Sequence, residues 1–272
     1  MTGQAMTGRA ELAGLVERLS GVSVLCLGDL MLDRFVYGSV ERISPEGPIP
    51  VLRIDREAAM LGGAGNVVRN VVALGGQASF ASVVGDDAAG REVTGLIATI
   101  DAVEPYLVVA RGRETTIKTR YIASGQQLLR ADRETVAPVA PSAIGDLRRV
   151  AVSEAGEAAA TVLSDYGKGA LTDEVIADVI AACGAAGRPV VIDPKGTDFT
   201  RYAGASAITP NVAELAEASR MPVTGEAEIA AAAAAIMAEC AIAAVLVTRG
   251  AAGMTLIEGG GGEPLQIGRA HV

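Results

Sequence analysis

The chain has 272 residues, half of them apolar, and a formal net charge of −9. Such a length buries a substantial core, as one large α/β domain or one with a small appendage, and the composition is globular rather than disordered. The acidic balance argues against a nucleic-acid surface, no apolar run approaches bilayer-spanning length, and Glu11 and Glu17 interrupt the N-terminal stretch in a way that argues against a secretory signal.

Val22 to Leu27 is a short apolar run that predicts a buried strand ending at Gly28-Asp29. From Phe35 to Ile54 three prolines and alternating apolar residues predict exposed strands and turns. Gly65 to Leu74 reads as a helix, Ser79 to Val84 as a strand closed by Gly85-Asp86-Asp87, and Ala88 to Ile100 as a helix. Alternation returns from Tyr106 to Arg130, with Thr115, Thr116, Ile117, Thr119, Tyr121 and Ile122 favouring strand. Helix Pro141–Ala159 follows, then strand Ala160–Leu163, helix Thr172–Ala186, strand Pro189–Ile192 and a short strand near Ala205–Ile208. Helices Asn211–Ser219 and Glu226–Cys240 and strand Ala244–Val247 complete the series. Strands alternating with helices imply an α/β fold with a mostly parallel sheet covered on both faces. The scattered Cys26, Cys183 and Cys240, with no CxxC pair, read as reduced, buried thiols of a cytoplasmic protein.

Candidate ligand sites fall at strand ends, where open α/β sheets place their ligands. Asp33 follows the first strand and supplies a hydroxyl acceptor; a turn cap is its structural alternative. Gly62 and Gly63 let backbone approach a ligand closely, and Asn66 lies at the start of the next helix, where free N–H groups favour anions and polar ligands. Together these read as a polyol site. A dinucleotide fingerprint fits poorly here, because Val68 replaces its third glycine and Met60-Leu61 is a weak preceding strand. Lys168, in Ser164-Asp165-Tyr166-Gly167-Lys168-Gly169, is not a P-loop lysine, since Gly169 stands where Ser or Thr is required. Pro194 fixes the backbone beside Lys195, whose compact charge can point into the cleft. Asn211 and Glu214 share a helix face and also fit a capping pair. Thr248, Gly250 and Gly253 follow an apolar strand, where glycines form either an anion-binding concavity or a hairpin turn.

The chain resembles the ribokinase-like (PfkB-type) carbohydrate kinases from about Gly21 to Ile257. Within them it is most similar to the heptose 7-phosphate kinase domain of bifunctional heptose kinase/adenylyltransferases, through Gly28–Arg34, Arg42–Glu46, Leu163–Gly169 and Ile192–Phe199. The resemblance implies a kinase domain over 1–266, with segments at about 35–60 and 106–130 forming a small β lid over the sugar and joining a homodimer. It implies ATP and Mg²⁺ as cofactors and a small sugar phosphate as substrate. Asp33, Gly62, Gly63 and Asn66 would bind the sugar and Lys168 its phosphate. Lys195, Asn211, Glu214, Thr248, Gly250 and Gly253 would meet the nucleotide, with Asn211 and Glu214 holding hydrated Mg²⁺. The implied reaction is phosphorylation of D-glycero-D-manno-heptose 7-phosphate at its anomeric hydroxyl, for lipopolysaccharide core precursors. Fructose phosphate, ribose or nucleoside kinases, and a non-catalytic sugar-phosphate-binding protein, are the alternatives.

One departure stands out. Kinases of this type carry a Gly-Ala-Gly-Asp run whose Asp deprotonates the acceptor hydroxyl, and this sequence contains none. The expectation is therefore a fragment lacking the catalytic base and the C-terminal part of the fold. Residues 267–272 are expected to be a non-native tail resembling one frame of a sequencing adapter, and His271 within it receives no role.

Overall fold

The computed structural model describes residues 13–268 apart from 136. Strand β1 (Ser23–Gly28) leads through Asp29 into the long antiparallel pair β2 (Leu30–Ile43) and β3 (Pro50–Gly63). Helix α1 (Ala64–Ala73), β4 (Gln77–Gly85), α2 (Ala88–Ile97) and β5 (Val103–Ala110) return the chain to the first strand's layer. The hairpin β6 (Ile117–Ala123) and β7 (Gln126–Arg133) is followed by α3 (Pro141–Glu157), β8 (Ala160–Ser164), α4 (Asp173–Ala186), β9 (Val190–Asp193) and β10 (Ala207–Ile208). Helices α5 (Val212–Ser219) and α6 (Glu226–Cys240) precede β11 (Ala244–Thr248), β12 (Met254–Glu258) and β13 (Leu265–Ile267).

Among the described residues two sheets form. The larger has the order β13-β12-β11-β10-β9-β8-β1-β4-β5, parallel from β5 to β11 and antiparallel over β12 and β13. The smaller has the order β3-β2-β6-β7. Strand order therefore reverses between β1 and β8: one arm is added outward to β5, the other outward to β11. Such a reversal leaves a crevice at the carboxyl ends of the central strands.

Alternation along the central strands explains why both faces are covered. Leu25 and Leu27 point into a core shared with Leu147 of α3, Val175 and Val179 of α4, Ile192, Val245 and Val247. Cys26 and Phe80 point the other way, against Val68 of α1 and Val93 and Ile97 of α2. Burial pushes the Cys26 thiol up to about 12, in keeping with an inert packing role. Residues Val191, Leu246 and Leu256, on that second face of the outer strands, stay only half-buried.

Two sequence expectations need correction. The second segment expected in the lid, at about 106–130, divides: Tyr106–Ala110 belongs to β5, paired in parallel with β4, and the small sheet takes Ile117–Arg133. Tyr106–Ala110 is an apolar run left half-buried at the sheet's edge, and its composition alone does not separate it from the lid strands. Met60-Leu61 is also no weak strand: it ends β3, opposite Asp33 and Leu32. That strand is antiparallel, so the parallel βαβ context of a dinucleotide fold is still lacking. Of the tail set at 267–272, Ile267 pairs with Met254 in β13, and 269–272 lie outside the described residues.

Candidate active site

The crevice begins at Asp29, the junction between the two sheets. Its backbone N–H donates to the Ser164 carbonyl at 3.2 Å, and its carbonyl accepts from Ala64 N–H at 3.0 Å, at the start of α1. Its carboxylate, only 3% exposed, accepts three backbone N–H groups from the loop after β8: Tyr166 and Lys168 at 2.9 Å on Oδ2, and Ala170 at 3.0 Å on Oδ1. Asp165, in the same loop, is equally buried and accepts from Gly167 N–H, the Tyr202 hydroxyl and Arg201. Burial pushes the Asp165 carboxyl above the ordinary range, although its hydrogen bonds and Arg201 pull the other way.

On one side of this junction lies a polar corner at the root of the small sheet. Asp33, four residues along from Asp29 in β2, faces Gly62 of β3. A Cβ on Gly62 would sit 2.6 Å from Asp33 Oδ2, so glycine is what leaves room for the carboxylate. Arg120 of β6 donates to Asp33 Oδ1 at 2.8 Å and lies over the Phe35 ring. Gly63 adopts φ +56° with the space for its Cβ filled by the Asp29 carbonyl, which makes it obligatory on two counts. Asn66, exposed in the first turn of α1, sits just beyond this pair of glycines. Lys168 pairs with Glu134 at 2.7 Å, just past the end of β7.

On the other side is a cleft of about 390 Å³ at the ends of β8 to β11, lined by Asp165, Tyr166, Asp193, Lys195, Asn211, Glu214 and Thr248, among others. Asn211 caps α5: its side chain accepts from Glu214 N–H at 3.0 Å, and the Glu214 carboxylate accepts from Asn211 N–H at 3.0 Å. The other Glu214 oxygen meets Lys195 Nζ at 3.4 Å. Burial first, then the neighbouring Glu214, pushes the Asp193 carboxyl up, against the pull of Thr209 and Lys195.

Residues 23–269 match the pfkB family carbohydrate kinase pattern. The chain belongs to the pfkB family of carbohydrate kinases. It is 54% identical over 256 residues to the bifunctional protein HldE of Paramagnetospirillum magneticum, covering 94% of this chain and 52% of that protein. With the HldE of Rhodospirillum rubrum it shares 50% identity over 250 residues, 90% of this chain and 50% of the other. The chain thus spans about half the length of these relatives. Its fold is shared with Escherichia coli phosphofructokinase-2 in complex with fructose-6-phosphate (TM-score 0.69, 23% identity, 93% of this chain and 81% of that one). Arabidopsis thaliana ribokinase complexed with ribose and ATP superposes with a TM-score of 0.62 at 18% identity, over 92% of this chain and 78% of the other.

Within this pfkB fold the sequence-derived candidates divide cleanly. Asp33 meets Gly62 at the root of the small sheet, with Gly63 next in β3 and Asn66 in the first turn of α1, whereas Lys195, Asn211, Glu214 and Thr248 share the second cleft. Gly250 and Gly253 do not line that cleft. They flank the 3₁₀ turn between β11 and β12, the hairpin alternative. Sequence reasoning passed over Asp29, Arg120, Glu134 and Asp165. Asp29 and Asp165 each stand at the end of a strand, within Gly28–Arg34 and Leu163–Gly169, but only partners distant in sequence, the 166–170 amides for Asp29 and Arg201 and Tyr202 for Asp165, reveal their part.

Among the described residues no group of three or more His, Cys, Asp or Glu side chains gathers as a metal cage, and no helix is long and apolar enough to cross a membrane. The oxygen donors Asp193, Asn211 and Glu214 nonetheless suit a hard cation that keeps most of its waters. A divalent ion beside Asp193 and Glu214 would relieve the repulsion that raises the Asp193 carboxyl.

Proposed function

We propose that the chain provides the sugar-binding corner and part of the nucleotide cleft of an ATP-dependent kinase acting on D-glycero-D-manno-heptose 7-phosphate at its anomeric hydroxyl. The product would be the 1,7-bisphosphate, a precursor of lipopolysaccharide core heptose, made in the cytoplasm. One juxtaposition carries the reading: the Asp33–Gly62 corner and the Lys195–Glu214 cleft lie on either side of a single loop, Ser164–Leu171, at the sheet's reversal point. Acceptor and donor would meet across that loop. The motif resemblance at Gly28–Arg34 and Leu163–Gly169, with the HldE identities, favours a phosphorylated heptose over other sugars.

Phosphoryl transfer asks the protein mainly for positioning and charge stabilisation. Asp33 accepts hydrogen bonds from sugar hydroxyls, its second oxygen remaining open while Arg120 holds the first. Gly62 and Gly63 admit the sugar against backbone, and Asn66 adds amide groups at the start of α1. Lys168 exchanges Glu134 for the phosphate already on the sugar. Lys195 and Thr248 meet nucleotide phosphates, with Gly250 and Gly253 shaping the adjoining turn. Asn211, Glu214 and Asp193 hold Mg²⁺ through water, and the ion supplies charge neutralisation at the phosphates when bound. Two such lids would pair in a homodimer, since Ile43, Ile54 and Leu129 of the small sheet are more than half exposed.

Calorimetric titration tests the reading. Heptose 7-phosphate is expected to bind more tightly than fructose 6-phosphate, ribose or a nucleoside. Asp33→Asn is expected to weaken it by about tenfold or more, the scale of a charge-assisted hydrogen bond. A preference for fructose 6-phosphate, or indifference to Asp33→Asn, would overturn the assignment.

A further inference from the structure

We infer that Asp29 is a positioning residue: its buried carboxylate fixes Lys168, and so sets how well the site distinguishes a phosphorylated sugar from the bare sugar. This rests on the reading of Lys168 given above.

The loop after β8 turns with φ +66° at Gly167 and +98° at Gly169, so alternate backbone N–H groups, of Tyr166, Lys168 and Ala170, converge inward. A concavity of convergent N–H groups is the kind of site that takes an anion. Here the anion is the protein's own. The Asp29 carboxylate fills the concavity at 2.9–3.0 Å from all three nitrogens. A ligand phosphate is thereby excluded from the loop amides and left to the outward side chain of Lys168. Arg113 adds a second restraint by donating to the Lys168 carbonyl, and the Lys168 ammonium pairs with the Glu134 carboxylate.

Charge, not size, is what the concavity needs. Asparagine at position 29 has one carbonyl oxygen, and its NH₂ group would face at least one of the three donors. The loop would then have to move, and Lys168 with it. Asp33, in a separate corner with Arg120, would stay in place.

The test compares heptose 7-phosphate with dephosphorylated heptose, by calorimetry, for wild type, Asp29→Asn, Lys168→Ala and the double variant. In wild type the phosphate is expected to improve affinity by about tenfold, the worth of one charge-assisted contact. Each single variant should erase most of that ratio while leaving affinity for bare heptose nearly unchanged, and the double variant should lose no more than Lys168→Ala. A merely structural role would lower both affinities together. If Lys168→Ala loses the ratio but Asp29→Asn keeps it, the inference is wrong and the Lys168 reading stands. If Lys168→Ala keeps it, the Lys168 reading itself falls, taking the inference with it. Should Asp29→Asn not fold, amide exchange in the wild type decides: Tyr166, Lys168 and Ala170 are expected to exchange slowly, and fast exchange at all three overturns the inference.

Discussion

Gly62 and Asp87 show what single residues contribute. Because a Cβ on Gly62 would fall 2.6 Å from Asp33 Oδ2, Gly62→Ala should turn the carboxylate away and weaken sugar binding by about tenfold. Its melting temperature should change little, as the crowding falls on a partly exposed side chain that can move; calorimetry alongside thermal melting checks both. Asp87 works on stability instead. It caps α2 through Gly90 N–H and holds both the N–H and hydroxyl of Thr115, at the approach to β6. Burial alone would raise its pKa, but the bonds from Gly90 and Thr115 outweigh burial and hold it below the ordinary aspartate value. A carboxyl depressed in the folded state adds stability above its unfolded pKa and loses it as pH falls through the folded one. Asp87→Asn should therefore destabilise the protein at neutral pH, with the difference from wild type shrinking below about pH 4. Chemical denaturation at several pH values measures this, and a pH-independent difference would sink it. At this scale the sequence was only partly legible. Asp29 and Asp33 look alike in Gly28–Asp33, and only the loop closing from residues 166–170 separates a carboxylate saturated by backbone from one left to meet a ligand.

Elements were easier to read than their partners. Apolar runs punctuated by Gly-Asp, Ser-Asp or Asp-Pro located β1, β4, β8 and β9 to within a residue or two, since a strand covered on both faces is mostly apolar. The capping pair at Asn211 was visible as well, being local chemistry. Asn211→Ala should cost about 1 kcal/mol, the usual worth of an N-cap, by leaving the Glu214 backbone N–H without its side-chain acceptor, and it removes an amide from the cleft, so thermal stability and nucleotide affinity fall together. The β11–β12 hairpin gives a contrast between two glycines. Gly253 combines φ +88° with a Cβ position 2.1 Å from the Ile267 carbonyl, whereas Gly250 has φ +53° and open space. Gly253→Ala should thus cost about 2–3 kcal/mol and Gly250→Ala about 1 kcal/mol, from strain alone. Equal effects in denaturant titrations would contradict this geometry. Where element reading failed, at β5, a half-buried apolar edge strand lies only a few residues before the lid strands, and only pairing could tell them apart.

For the whole molecule the decisive feature is long-range: the reversal of strand order between β1 and β8 gathers carboxylates separated by more than a hundred residues into one crevice. Periodicity fixes which residues face a core but not the order of strands, so this gathering could be inferred from family resemblance and not from pattern. It also brings each carboxylate there up against donors. Asp29 is occupied by three N–H groups, and Asp165 by Gly167, Tyr202 and Arg201. Glu214 is held by Asn211 N–H and Lys195, while Asp193 lies on the phosphate side with Thr209. Asp33 is paired with Arg120 and, in the proposed site, is given to the sugar hydroxyls. Glu134 is paired with Lys168. Each of these six carboxylates thus has a partner, and the Gly-Ala-Gly-Asp run is absent from the 272 residues. General-base assistance is worth about 10²–10⁴ in rate. The purified 272-residue chain is therefore expected to bind heptose 7-phosphate yet release ADP no faster with the sugar than without it, measured by a coupled ADP assay. Sugar-dependent ADP release abolished by Asp33→Asn would instead mean that Asp33 itself takes the proton, and that Arg120 leaves it when the sugar enters.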